Sequence, residues 1–123
     1  MPATVLIVDD EPFMVDIIWD ILESRGYRVL ATTDADRALA MLAEDPGPID
    51  LLLTDVTMPQ RTGPELAALV QERWPDCRVI FLSGHTSESL HDRGVPPGAR
   101  ILAKPVTLDA LVSAVSSALT SEG

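Results

Sequence analysis

Polar side chains follow short apolar runs at four places in the sequence. Asp9 and Asp10 come after Thr4 to Val8, Asp55 closes LLLTD, Ser83 follows Arg78 to Leu82, and Lys104 follows Ile101 to Ala103. If the runs are parallel strands of one sheet, all five side chains converge on one edge. Three carboxylates in one cleft resist ionising together unless a cation neutralises them. Oxygen donors unaccompanied by His or Cys favour Mg²⁺ over Zn²⁺. A carboxylate beside Mg²⁺, with an ammonium and a hydroxyl within reach, is suited to accepting a phosphoryl group. Asp55 is the candidate nucleophile, held at the mouth of an acidic metal pocket.

The elements that must position these residues are legible in the hydrophobic periodicity. Thr4 to Val8 predicts a strand, Asp9 to Glu11 an acidic loop, and Pro12 the first turn of a helix with Met14, Ile17, Ile18, Ile21 and Leu22 on its apolar face. Tyr27 to Leu30 starts a second strand, and Thr33 with Asp36 has the spacing of a capped helix that ends before the DPGP break at 45–48. Asp50 to Thr54 is a third strand. Thr62 and Glu65 form a T-x-x-E box opening a helix that Pro75 terminates. Arg78 to Leu82 gives a fourth strand and Glu88 to Asp92 a short helix, before GVPPG at 94–98 forces a loop. Ile101 to Ala103 is a fifth strand. Leu108, Leu111, Val112, Val115 and Leu119 mark one face of a last helix beginning at Thr107. Strands alternating with helices predict an α/β fold, a parallel sheet covered on both faces, which binds ligands at its C-terminal strand ends.

The 123 residues fit one domain, expected to span 1–123. Apolar residues make up 46% and aromatic ones 4%, so the core is aliphatic. A formal net charge of −10 repels phosphate backbones and anionic lipid, which excludes direct nucleic-acid or membrane binding by this chain. The N-terminus has neither a basic segment nor a long apolar run, and the single cysteine, Cys77, allows no internal disulfide, so a reducing cytoplasm is expected.

VLIVDDE at 5–11, LLLTDVTMP at 51–59 with Gly63, FLSG at 81–84 and AKP at 103–105 together resemble the receiver domain of two-component response regulators, over the whole chain. The resemblance implies a flavodoxin-like (CheY-like) fold of strand order 2-1-3-4-5 and phosphotransfer to Asp55 from the phosphohistidine of a histidine kinase or histidine phosphotransfer protein. By the same resemblance Asp10 and Asp55 hold Mg²⁺ directly, Asp9 through water and Thr57 through its backbone carbonyl. Ser83 hydrogen-bonds the phosphoryl group, Lys104 pairs with it, and Pro105 follows a cis peptide bond. His85, two residues past Ser83, is placed near the phosphoryl group. Such a domain catalyses only its own phosphorylation and dephosphorylation, as a monomer or weak dimer.

Two features depart from the family pattern. The aromatic switch residue expected three positions before the lysine is Ile101, and the residue after KP is Val106 rather than Phe. The short fourth helix with GVPPGARI after it resembles receivers attached to hybrid kinases, and no output domain follows Gly123, so a stand-alone or excised hybrid-kinase-type receiver is expected. Each site residue alone has a structural explanation: acids before a helix, a serine cap, a surface lysine. Their joint placement at strand ends is what points to chemistry. A pseudo-receiver that binds partners without phosphorylation is the alternative. A haloacid-dehalogenase-type phosphohydrolase is disfavoured, because Thr57 stands where that family places its second aspartate.

Overall fold

A computed structural model describes residues 3–44, 47–84 and 87–120, and for 87–89 the backbone. The elements are β1 (Thr4–Val8), α1 (Pro12–Ser24), β2 (Arg28–Thr32), α2 (Ala35–Ala43), β3 (Leu51–Asp55), α3 (Gly63–Arg73), β4 (Arg78–Ser83), α4 (Ser87–Asp92), β5 (Arg100–Ala103) and α5 (Leu108–Thr120). The strands form one parallel sheet in the order β2-β1-β3-β4-β5. This is the expected flavodoxin-like order, and it reverses direction between β1 and β3.

β1 is buried along its whole length, as its unbroken apolar run requires when helices cover both faces. Alternate residues divide the core in two. Leu6, Val8, Leu52 and Phe81 pack with Ala38 and Leu42 of α2 and with Leu66 and Val70 of α3. Val5, Ile7, Leu51, Leu53, Ile80 and Leu82 pack with Ile18 and Leu22 of α1 and with Leu111 and Val115 of α5. The two-residue period of the strands thus sets which helix each side chain meets.

Local chemistry fixes the helix starts. The Thr62 hydroxyl accepts the Glu65 N–H at 3.2 Å while Glu65 accepts the Thr62 N–H at 3.0 Å, completing the predicted capping box of α3. At α2 the expected cap, Thr33, is displaced by Asp34. Its carboxylate accepts the N–H groups of Asp36 and Arg37 at 2.7 and 3.1 Å, satisfying two orphan donors where a hydroxyl one residue earlier would have to reach farther.

The apolar stripes are narrower than their sequence pattern. On α1 the buried row is Val15, Ile18 and Leu22, whereas Ile17 is 50% exposed and Phe13 85% exposed. A turn of about 100° per residue carries Ile17 off the packed face once Ile18 is centred on it. On α5 the row is Leu111, Val115 and Ala118, leaving Leu108 exposed for the same reason. Strands three and four run one residue farther than predicted, so Asp55 and Ser83 are themselves strand residues. Cys77 is buried. Among the described residues no helix is long and apolar enough to cross a membrane.

Candidate functional site

The parallel register assembles the site. Val8 pairs with Thr54, Asp55 with Leu82, and Ser83 with Ala103, so the residues at or just beyond the C-terminal ends of β1, β3, β4 and β5 share one edge. The Lys104 N–H donates to the Ser83 carbonyl at 2.9 Å, which ties the end of β5 to the end of β4. The Lys104–Pro105 peptide is cis, as the resemblance implied.

Asp9 is fully buried, and its Oδ1 accepts the Glu11 N–H at 2.9 Å, which folds the acidic loop back over the strand end. Its other oxygen accepts no well-aligned hydrogen bond but lies 2.9 Å from the Lys104 ammonium. The same ammonium lies 3.6 Å from Asp55 Oδ2 and 3.3 Å from Glu11 Oε1. Burial works to lower the pKa of Lys104, but Asp9, Asp55 and Glu11 outweigh it and hold the group above its ordinary value. Lys104 is therefore a permanent cation at physiological pH.

One ammonium does not neutralise the cluster. Burial raises the Asp55 carboxyl from 3.8 to about 6; Lys104 opposes the rise, and the neighbouring Asp9 and Asp10 add to it. Asp9, Asp10 and Asp55 each offer an oxygen within 4.8 Å of the others. A buried Asp9 carboxylate with one oxygen ion-paired to Lys104, an exposed Asp10 and a half-buried Asp55 form an oxygen-only donor set open to water on one side. That set fits Mg²⁺, which keeps several waters when bound.

The loop after β3 is tightly closed. The Gly63 N–H donates to the Val56 carbonyl at 2.7 Å, and Thr57 bridges Thr62 in antiparallel fashion. A Cβ on Gly63 would lie 2.3 Å from the Asp55 carbonyl oxygen, so only glycine permits this approach. Thr57 is exposed, and its hydroxyl accepts a hydrogen bond from Arg93 at 3.0 Å. Ser83 is buried at the end of β4.

The structure thus brings together Asp9, Asp10, Asp55 and Lys104, and puts Ser83 at the end of the strand next to Asp55. His85 lies outside the described residues, and His91 is exposed. Two contributors escaped the sequence. Glu11 stands in the sequence only as part of an acidic loop, although the turn at Asp9 brings it to Lys104. Arg93 carried no signal, because its contact depends on where the end of α4 lands.

The model of the response regulator receiver domain matches residues 5–116. The chain is 34% identical to the sensor kinase CckA of Brucella abortus over 98% of its own length, and spans 13% of that kinase. It is also 34% identical to the receiver protein CpdR of the same organism, covering 94% of this chain and 95% of CpdR. The chemotaxis regulator CheY4 of Vibrio cholerae superposes with a TM-score of 0.84 at 28% identity, over 97% of this chain and 100% of that one. The receiver domain of a hybrid histidine kinase CckA does so with a TM-score of 0.80 at 31% identity, over 96% and 100%. With the sheet order, the acidic cluster and the family match in agreement, the chain belongs to the response regulator receiver domains of two-component systems.

Proposed function

We propose that residues 1–123 act as one phosphoacceptor unit in which Asp55 takes a phosphoryl group from the phosphohistidine of a histidine kinase or histidine phosphotransfer protein. The observation that carries this is the Asp55 carboxylate facing both Lys104, 3.6 Å away, and the oxygens of Asp9 and Asp10. A rigid strand end presents the nucleophile, and the neighbours supply charge of both signs. An Asp55 oxygen attacks phosphorus in line, forming the O–P bond as the N–P bond breaks and its electron pair returns to the imidazole.

Asp10 and Asp55 directly, Asp9 through water and the Thr57 carbonyl would hold Mg²⁺, which when bound would supply positive charge to the phosphoryl oxygens and relieve the repulsion among the carboxylates. Lys104, already anchored by Asp9, shifts its ammonium toward the new phosphoryl oxygens. The Ser83 hydroxyl donates to another of them, from a backbone fixed by its bond to Lys104. The chain catalyses this transfer and the later hydrolysis on itself alone. Phe13 and Ile17 on α1 and Leu108 at the start of α5 are exposed apolar groups on the helices that follow Asp10 and Lys104. We place the protein in the cytoplasm, as a monomer or weak dimer that does not bind nucleic acid itself.

Incubation with acetyl phosphate, with and without Mg²⁺, followed by intact mass, tests the assignment. A labile, Mg²⁺-dependent phosphoryl adduct is expected on the wild type and not on Asp55→Asn. An adduct that persists in Asp55→Asn moves the acceptor elsewhere.

A further inference from the structure

The crossover between neighbouring parallel strands usually carries a helix that covers the sheet. Here that helix, α4, has six residues, a length of about 9 Å, against about 20 Å for the six residues of β4. The chain after it cannot continue the helix. The Gly94 N–H donates to the His91 carbonyl at 3.1 Å with Gly94 at φ +89°, and Pro96 and Pro97 follow, which have no N–H to give. Part of β4 is therefore left at the bottom of a groove between α3 and the 94–100 segment.

The groove has a volume of about 500 Å³, within the roughly 300–1,000 Å³ of small-molecule sites. Ala67 and Ala68 line one wall, Gly94 and Gly98 the other, and Val79 and Phe81 the floor. The walls approach each other near the start of α3, where a Cβ on Gly94 would lie 3.9 Å from the Pro64 side chain. At the other end stand Arg78, which opens β4, and Arg100, which opens β5. Among the described residues that line the groove are two of the chain's nine basic residues and none of its nineteen acidic ones. In a chain of net charge −10 this is a local reversal of sign.

The backbone around the groove selects the kind of occupant. β4 is paired on both edges, to β3 and β5, and the α3 backbone bonds are internal to the helix. An extended peptide laid on these elements would bury N–H and C=O groups without partners. A small molecule with few polar atoms meets no such cost. Burial pushes the Cys77 thiol, which also borders the groove, up to about 12, so it stays neutral and forms no covalent bond to the occupant. We propose that the groove binds a small amphipathic anion, its apolar body against Val79 and Phe81 and its single acidic group toward Arg78 and Arg100. The proposal does not depend on Asp55 being the acceptor.

Anilinonaphthalene sulfonate, a fluorescent anion with an aromatic body, is the probe, and phenylnaphthylamine, which keeps the rings without the charge, is its control. Titration of the whole chain should give saturable fluorescence at one sulfonate per chain, with amide shifts confined to 64–71, 77–81 and 94–100. Arg100→Gln should weaken the sulfonate about three- to tenfold and leave the neutral control unchanged, as loss of one charge-assisted hydrogen bond requires. Ala68→Phe, at an exposed position on the groove wall, should block both probes, whereas Phe13→Ser, on the exposed face of α1, should change neither. Urea denaturation of each variant confirms that it folds; if Ala68→Phe does not, the shift map and Arg100→Gln decide. No saturable binding, shifts that fall on α1 or α5 instead of the groove, or equal affinity of both probes with no effect of Arg100→Gln overturns the proposal.

Discussion

At Asp55 the demands of folding and of chemistry oppose each other. Its folded pKa of about 6 lies above the ordinary 3.8, so the metal-free fold is favoured while the carboxyl is protonated. That advantage is complete below pH 3.8 and lost as pH rises through 6. At pH 7 the buried charge costs about 1–3 kcal/mol, allowing for a pocket open to water. Asp55→Asn should therefore be more stable than wild type by about that amount in urea denaturation at pH 7 with EDTA, and the gap should close by pH 4. Equal stabilities at pH 7 would mean that neither burial nor the neighbouring carboxylates penalise the Asp55 charge. Lys104 works the other way. Lys104→Met leaves Asp9, fully buried, without its counter-charge, and is expected to cost about 3 kcal/mol without metal, most of it restored by Mg²⁺. The same residues show how much of the site could be read in advance. Aspartates, a serine and a lysine placed after apolar runs are visible in a linear sequence, since a parallel sheet maps run ends onto one edge. Contacts made by long side chains across loops, such as Glu11 to Lys104 and Arg93 to Thr57, are not.

Among the elements, the loop from Asp55 into α3 has the least tolerance. Gly63→Ala sets a methyl group 2.3 Å from the Asp55 carbonyl oxygen, a backbone atom that cannot swing away. The loop would have to open, at a cost of about 3 kcal/mol or more, and phosphoryl uptake should fall with it because Asp55 and Thr57 are displaced together. Thr62→Ala, by contrast, removes one half of the capping box and should cost about 1 kcal/mol with little effect on labelling. Measuring stability and labelling of the pair separates helix capping from loop geometry: equal losses of labelling would show that the cap, rather than the glycine contact, shapes the site. The capping box was legible because both partners lie three residues apart. At α2 two neighbouring residues, Thr33 and Asp34, could each cap, and only the approach of the chain from β2 decides between them. The apolar stripes of α1 and α5 are narrower than their periodicity for a related reason: periodicity marks a face, but only the residues centred on the sheet, Ile18 on α1 and Leu111 and Val115 on α5, are covered.

Across the whole molecule, order and topology followed from alternating apolar runs and turn residues, while the response to phosphorylation depends on a surface the sequence leaves incomplete. β5 is an edge strand, and Ile101 on it is 40% exposed, a small aliphatic group at the position where the family carries an aromatic switch. An aromatic ring has the size and planar shape to exchange between a buried and an exposed rotamer as a gap near the phosphoryl site opens or fills; Ile101, branched at Cβ and already half outside, has far less to exchange. One link that leaves the site is the Arg93–Thr57 hydrogen bond, which reaches the end of α4. Amide shifts recorded with and without beryllofluoride and Mg²⁺ should therefore change in the loop at 56–62 and around Arg93 to Val95, and change little along β5 and α5. Arg93→Gln should confine them to the loop. Large shifts at Ile101 and through α5 in the wild type would show that an aliphatic residue suffices to carry the switch, and that the conformational response of this fold does not depend on an aromatic ring.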